Sequence, residues 1–125
     1  MKKGDILKEN NVIYEKSLDF AEAIVELYKY LEDTHKEYVL SKQILKAGTS
    51  IGANISEAIE AHSKKDFISK FQIALKEANE TNYWLTLLHR TDFIEKEYFN
   101  RLQKKINEII SILISILKTS KNNLQ

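Results

Sequence analysis

The side chains in this sequence with chemistry to offer are carboxylates, amides and a few histidines. Asn54 and Glu57 stand three residues apart, so on a helix they share a face. Glu80 lies in the middle of another helical segment, beside Thr81. Two carboxylates brought together and buried could work as a general acid–base pair, Glu57 with Glu80, with burial raising a pKa. The same three residues, Asn54, Glu57 and Glu80, could instead form a buried polar network that fixes helix register or meets a basic side chain of a neighbouring subunit. The structural role is the better fit, because no nucleophile, cofactor loop or oxyanion donor accompanies the pair. Ser50, Ser56 and Ser63 have no histidine at a spacing that would activate them.

Metal chemistry fares no better. A two-metal carboxylate site in a helical bundle needs a Glu-x-x-His from each of two helices. Only Glu32 and His35 have that spacing, and they sit at a helix end. There is no cysteine, which removes disulfides, thiolate metal sites, thiol nucleophiles and iron–sulfur clusters. The glycines Gly48 and Gly52 are spaced for helix packing, not for a phosphate loop. The sequence therefore predicts no catalytic residue, no cofactor and no metal.

The elements that position these residues are legible from breakers and periodicity. The chain has 125 residues, no proline and three glycines, with 43% hydrophobic and 30% charged residues. That suits one globular domain of long helices, not a β-rich fold that needs many turns. Four segments repeat at helical spacing. The first, about 12–33, carries Ile13, Phe20, Ile24, Leu27 and Leu31 on one stripe. The second, about 36–61, carries Ile44, Gly48, Ile51, Ile55 and Ala58; the apolar period runs unbroken through both glycines, which favours one continuous or slightly bent helix over a break near Gly48-Thr49-Ser50. Each glycine costs about 1 kcal/mol against alanine in a helix, and close approach of another helix would offset that. The third, about 64–90, starts on Ser63 as N-cap with Asp66 three residues on, and repeats Phe67, Phe71, Ala74, Ala78, Thr81, Leu85 and Leu88. The fourth, about 95–118, repeats Phe99, Leu102, Ile106, Ile109, Leu113 and Ile116, with residues 119–125 as a frayed tail. Short connections make neighbours antiparallel, so residues 1–125 are expected to form a single all-α, up-down-up-down four-helix bundle.

The fourth segment has more apolar surface than one stripe requires. Ile109, Ile110, Ile112, Leu113, Ile114, Ile116 and Leu117 surround most of its circumference. A helix apolar nearly all round is buried nearly all round, which in a chain this short implies a second subunit. Tyr83, Trp84 and Leu87 also lie off the main stripe of the third segment. The sequence thus predicts a homo-oligomer with Trp84, Ile110, Ile112, Ile114 and Leu117 at the interface; the alternative is that the extra isoleucines close a thicker monomeric core. The longest apolar run has nine residues, against the roughly 20 a spanning helix needs, and no secretory h-region follows Lys2-Lys3; a cytoplasmic protein is expected.

Net charge is +1, but it is unevenly spread. Residues 11–33 carry a net of −4; residues 64–90 and 95–118 carry +2 each. Lys64, Lys65, Lys70, Lys104 and Lys105 are the candidate contacts for RNA or DNA, since a ring would repeat each modest patch and phosphate contacts act together. A solvated surface accounts for them equally simply.

Two stretches carry a family resemblance: LSKQILKAGTSIGANISEAIEA, from Leu40, and SKKDFISKFQIALKEANETNYWLTLL, from Ser63. The residues that matter are Gln43, Ser50-Ile51, Asn54-Ile55 and Glu57 in the first, and Lys76-Glu77-Ala78, Glu80-Thr81 and Tyr83-Trp84-Leu85 in the second. They resemble the bacterial four-helix-bundle proteins encoded inside intervening sequences of 23S ribosomal RNA genes. The accessory variability determinant of diversity-generating retroelements is a relative in that superfamily. Ala58 departs from the family pattern, where many members have glycine. The resemblance implies a four-helix bundle over about residues 12–118, a homo-oligomer with a pentameric ring as in relatives, and no catalytic activity. The retroelement relative binds nucleic acid and a reverse transcriptase through a basic surface, a property this near-neutral chain matches only weakly.

Overall fold

The computed structural model describes the backbone of residues 3–124 and the side chains of residues 10–122. Four helices follow one another: α1 (Lys3–His35), α2 (Leu40–Ile59), α3 (Lys64–Arg90) and α4 (Lys96–Leu124). Each packs on the next, α4 closes back on α1 over the thinnest seam, and among the described residues the diagonal helices face each other only through core side chains. Short turns between them make the arrangement an antiparallel, all-α four-helix bundle.

The core is one cluster built from the stripes the periodicity marks. Ile13, Phe20, Ile24, Leu27 and Leu31 of α1 meet Ile44, Ile51 and Ile55 of α2, Phe71, Leu85 and Leu88 of α3, and Leu102, Ile106 and Leu113 of α4. Helix α2 is continuous through both glycines. A Cβ on Gly48 would lie 2.8 Å from Ile24 Cγ1, so the missing side chain is what lets α1 and α2 approach. Ser63 caps α3 by accepting from the Asp66 N–H at 3.1 Å, as the sequence predicts.

Three boundaries differ from expectation. Helix α1 begins at Lys3, not near residue 12, and Asn10, the first residue whose side chain is described, is already buried. The polar run before Val12 hides the start, yet it contains good helix formers and no proline. Helix α2 begins at Leu40, not 36, because Lys36 takes a left-handed φ of 53° and Glu37 turns back to cap the helix: its carboxylate accepts the N–H groups of Val39, Leu40 and Ser41. The expected frayed tail is helical to Leu124, and Ser120 lies buried on the core side. Between α3 and α4 the chain turns through Asp92 at φ 67°, with Phe93 N–H donating to the Leu88 carbonyl and Asp92 N–H to the His89 carbonyl. This is a Schellman closure with Asp in the glycine-like position.

Candidate functional site

Helix α2 has two flanks, and they differ in kind. On the flank toward α3 lie Gln43, Ser50, Asn54 and Glu57, the polar residues of the family motif. Glu57 pairs with Lys70 of α3 at 3.2 Å. That pair sets the register, so Lys70, Ile73, Glu77, Glu80 and Trp84, spaced 3, 4, 3, 4, run alongside as the matching edge of α3. These polar groups are satisfied close to home. Asn54 Nδ2 donates to the Ser50 carbonyl at 2.8 Å, the Ser50 hydroxyl to the Lys46 carbonyl at 2.6 Å, and Trp84 Nε1 to Glu80 Oε1 at 3.3 Å.

The expected buried network of Asn54, Glu57 and Glu80 therefore does not form within one chain. Glu57 is 62% exposed, Asn54 and Glu80 are half-buried, and each has a different partner. Glu80 stands ten residues beyond Lys70 on α3, roughly 15 Å from the level of Glu57. At that separation the two carboxylates cannot share a proton, so the acid–base arrangement is not assembled. The reason is register: with 3.6 residues per turn these side chains fall on the helix edge and not on the core stripe. Among the described residues, no three His, Asp or Glu side chains gather as a metal ion needs.

On the flank toward α1 the chemistry reverses. Tyr14, Leu18, Ala21, Val25 and Tyr28 recur at spacings of 4, 3, 4, 3 on α1, outside its core stripe. Leu45, Thr49, Gly52, Ser56 and Ile59 recur identically on α2. Their central members line a shared groove of about 220 Å³, with Tyr14, Ser17, Leu18 and Ala21 on one wall and Thr49, Gly52, Ala53 and Ser56 on the other. The hydroxyls inside it are turned to their own helices: Thr49 donates to the Leu45 carbonyl at 2.7 Å and Ser17 to the Tyr14 carbonyl at 2.8 Å. Apart from the exposed Ser56, what else lines the groove is methyl, methylene and aromatic ring. Leu18, which lines the groove, is 43% exposed, and Ile59, further along the same α2 stripe, is exposed as well. Sequence reasoning passed over this second stripe on α1, although its heptad spacing was available to find it.

The apolar excess of α4 is only partly left over. Leu117, expected at an interface, is 6% exposed and belongs to the subunit's own core, as do Ile109, Leu113 and Ile116. Ile110, Ile112 and Trp84 are half-buried against that core, and Ile114 is 51% exposed. The thin α1–α4 seam takes up some of this helix: it holds a second groove of about 210 Å³ lined by Lys16, Asp19, Phe20, Lys105, Glu108 and Ile109. There Lys16 pairs with Glu108 across the gap and, by its hydrogen bond first and its charge second, holds that carboxyl below its ordinary range.

The candidate nucleic-acid contacts are dispersed. Lys70 is engaged by Glu57. Lys105 lines the α1–α4 groove, with Lys104 next to it on the same helix. Lys64 and Lys65 stand in the first turn of α3. The Asn82–Gln103 hydrogen bond fixes the α3–α4 register and puts that first turn level with Lys118 and Lys121 at the end of α4. Among the described residues, no helix is long and apolar enough to cross a membrane.

Comparison with known proteins agrees with the motif and the fold. Among curated proteins nothing matches the chain. A crystal structure of a protein of unknown function from the S23 ribosomal protein family of Bacteroides thetaiotaomicron VPI-5482 is 56% identical, covers 88% of this chain and 98% of its own, and superposes with a TM-score of 0.87. The family model of the 23S rRNA-intervening sequence protein matches residues 9–115, and the chain belongs to that family.

Proposed function

We propose that this protein is a non-enzymatic scaffold that works as a homo-oligomer, with the α1–α2 groove covered by another subunit. The observation that carries this is the groove itself: two heptad stripes side by side, with no charged residue at any position, left open to water by a single chain. Two-stripe surfaces of this kind are what a third helix packs into. A pentameric ring, the arrangement implied by the family resemblance, is one way to meet the need. The Bacteroides relative is named for a ribosomal protein family, and this chain gathers Lys64, Lys65, Lys118 and Lys121 at one end of the bundle, against Glu60 and Asp66. RNA or DNA binding at that end is the second function we propose, subordinate to assembly because only a ring would multiply so small a net charge.

Sedimentation equilibrium of the full chain over the micromolar range tests the first proposal. A mass that is a multiple of 14.6 kDa is expected; a subunit mass throughout would overturn it. For the second, affinity for structured RNA should fall steeply with salt and weaken in the Lys64→Gln, Lys65→Gln double variant. No binding at low salt would remove it.

A further inference from the structure

A groove is filled by a ridge of matching shape and opposite charge, and α4 carries one. Gln103, Ile110 and Ile114, spaced 7 and 4, lie on the α4 edge that borders α3, as the Asn82–Gln103 hydrogen bond shows. Ile114 is the exposed crest of that edge and Ile110, one turn back, is half-exposed beside it. The following turns present Lys118 and Lys121, both exposed. Over its full length α4 carries six basic and two acidic side chains, whereas residues 11–33 of α1 carry six acidic and two basic ones.

That imbalance decides between the possible occupants within the oligomer. The groove lining is itself uncharged, but the outer face of α1 beside it carries the exposed Glu15, Glu22 and Glu26; packing groove on groove with α1 against α1 would set these carboxylates together, a like-charge contact that opposes association. Packing the groove against α4 of a second copy sets opposite signs together around an apolar centre. The small residues Gly52, Ala53 and Ala21 give the floor the depth that an Ile knob requires.

We propose that the α1–α2 groove of each subunit receives the Ile110–Ile114 edge of α4 from the next, so that the contact joins two different surfaces head to tail. It rests on the scaffold reading and specifies it. Contacts of this type close into a ring when the rotation allows, and otherwise run on as a filament.

The chain has no cysteine, so introduced thiols react alone. The Leu18→Cys, Ile114→Cys double variant, treated with a short bismaleimide, is expected to give a ladder of covalent multimers on a denaturing gel. Each single variant is expected to stay at subunit mass. A second pair, Ala53→Cys with Ile110→Cys, reports on the same contact should the first pair disturb it. Covalent dimers from any single variant would mean that a surface packs on its own copy, and would overturn the proposal. No ladder from either pair, in samples whose native mass is a multiple of the subunit, would also overturn it while leaving the scaffold standing. A native mass of 14.6 kDa would remove both.

Discussion

The two flanks of α2 are built from the same helix and teach opposite lessons. The flank toward α3 is polar, and its groups are closed off by short-range bonds: Asn54 to Ser50, Ser50 to Lys46, Glu57 to Lys70. The flank toward α1 is uncharged, Thr49 and Ser17 turn their hydroxyls to their own helices, and its side chains remain in contact with water. Polar surface in water costs little, whereas a continuous apolar seam marks a contact surface. A motif of polar residues thus draws the eye to one side of α2 while the uncovered surface lies on the other.

Five substitutions would break or sharpen this contrast. The largest effect is expected from Leu18→Asp, which puts a charge into the apolar groove. Association should weaken by about 2–3 kcal/mol per contact, on the order of 30–150-fold in Kd, seen as loss of the oligomer in size-exclusion chromatography with light scattering. The fold should survive, since Leu18 is already 43% exposed in the subunit. Gly48→Ala comes next. Its Cβ would sit 2.8 and 2.9 Å from the γ-carbons of the fully buried Ile24, so the subunit should lose about 1–2 kcal/mol in urea unfolding even after the gain in helix propensity. Gly52→Ala, on the same flank, meets only Ser17 Oγ at 3.2 Å and should change stability by less than about 0.5 kcal/mol. A larger loss at position 52 than at 48 would contradict the packing described.

Glu37→Gln should cost about 0.5–1 kcal/mol at neutral pH, in the low range for a cap because the carboxylate is partly solvated. Burial alone would raise the pKa of Glu37, but the N–H groups of Leu40, Ser41 and Val39 outweigh it and hold the carboxyl below its ordinary 4.5. A depressed folded-state pKa means the contribution is complete above the unfolded value and is lost as pH falls through the folded one. The wild-type and Glu37→Gln proteins should therefore converge in stability only as pH falls below that depressed folded-state value. The smallest effect belongs to the polar flank: Glu57→Gln breaks a solvent-exposed ion pair and should change stability by under about 0.5 kcal/mol, with the oligomer intact. An oligomer lost through Glu57→Gln and kept through Leu18→Asp would exchange the roles of the two flanks.

The fold was legible because its signal is periodic and redundant. The core stripes of α1 to α4, the continuity of α2 through its glycines and the Ser63 cap follow from spacing alone. The boundaries were less so, since they depend on single residues: Lys36 and Asp92 adopt left-handed backbone without being glycine, and Glu37 caps α2 from three residues upstream, where no capping-box pattern would place it. Side-chain environment was harder still. Leu117 reads as surplus when isoleucines are counted around α4, yet about 20° of helical phase separates it from Ile106 and takes it into the core. Glu57 and Glu80 read as a pair because both sit mid-helix, but pairing across helices depends on register, which only the Glu57–Lys70 contact reveals. The groove between α1 and α2 was encoded twice, as heptads on both helices, and was masked by the stronger core stripe beside each.

The central claim is that a second copy of the chain covers the α1–α2 groove. Thiol labelling of an Ala53→Cys variant measures this directly, because Ala53 is exposed at the groove of the single subunit and no other thiol competes. The rate should be slow at high protein concentration and rise on dilution as subunits separate, and adding Leu18→Asp should make it fast at every concentration. Fast labelling of Ala53→Cys that is indifferent to concentration would contradict the account.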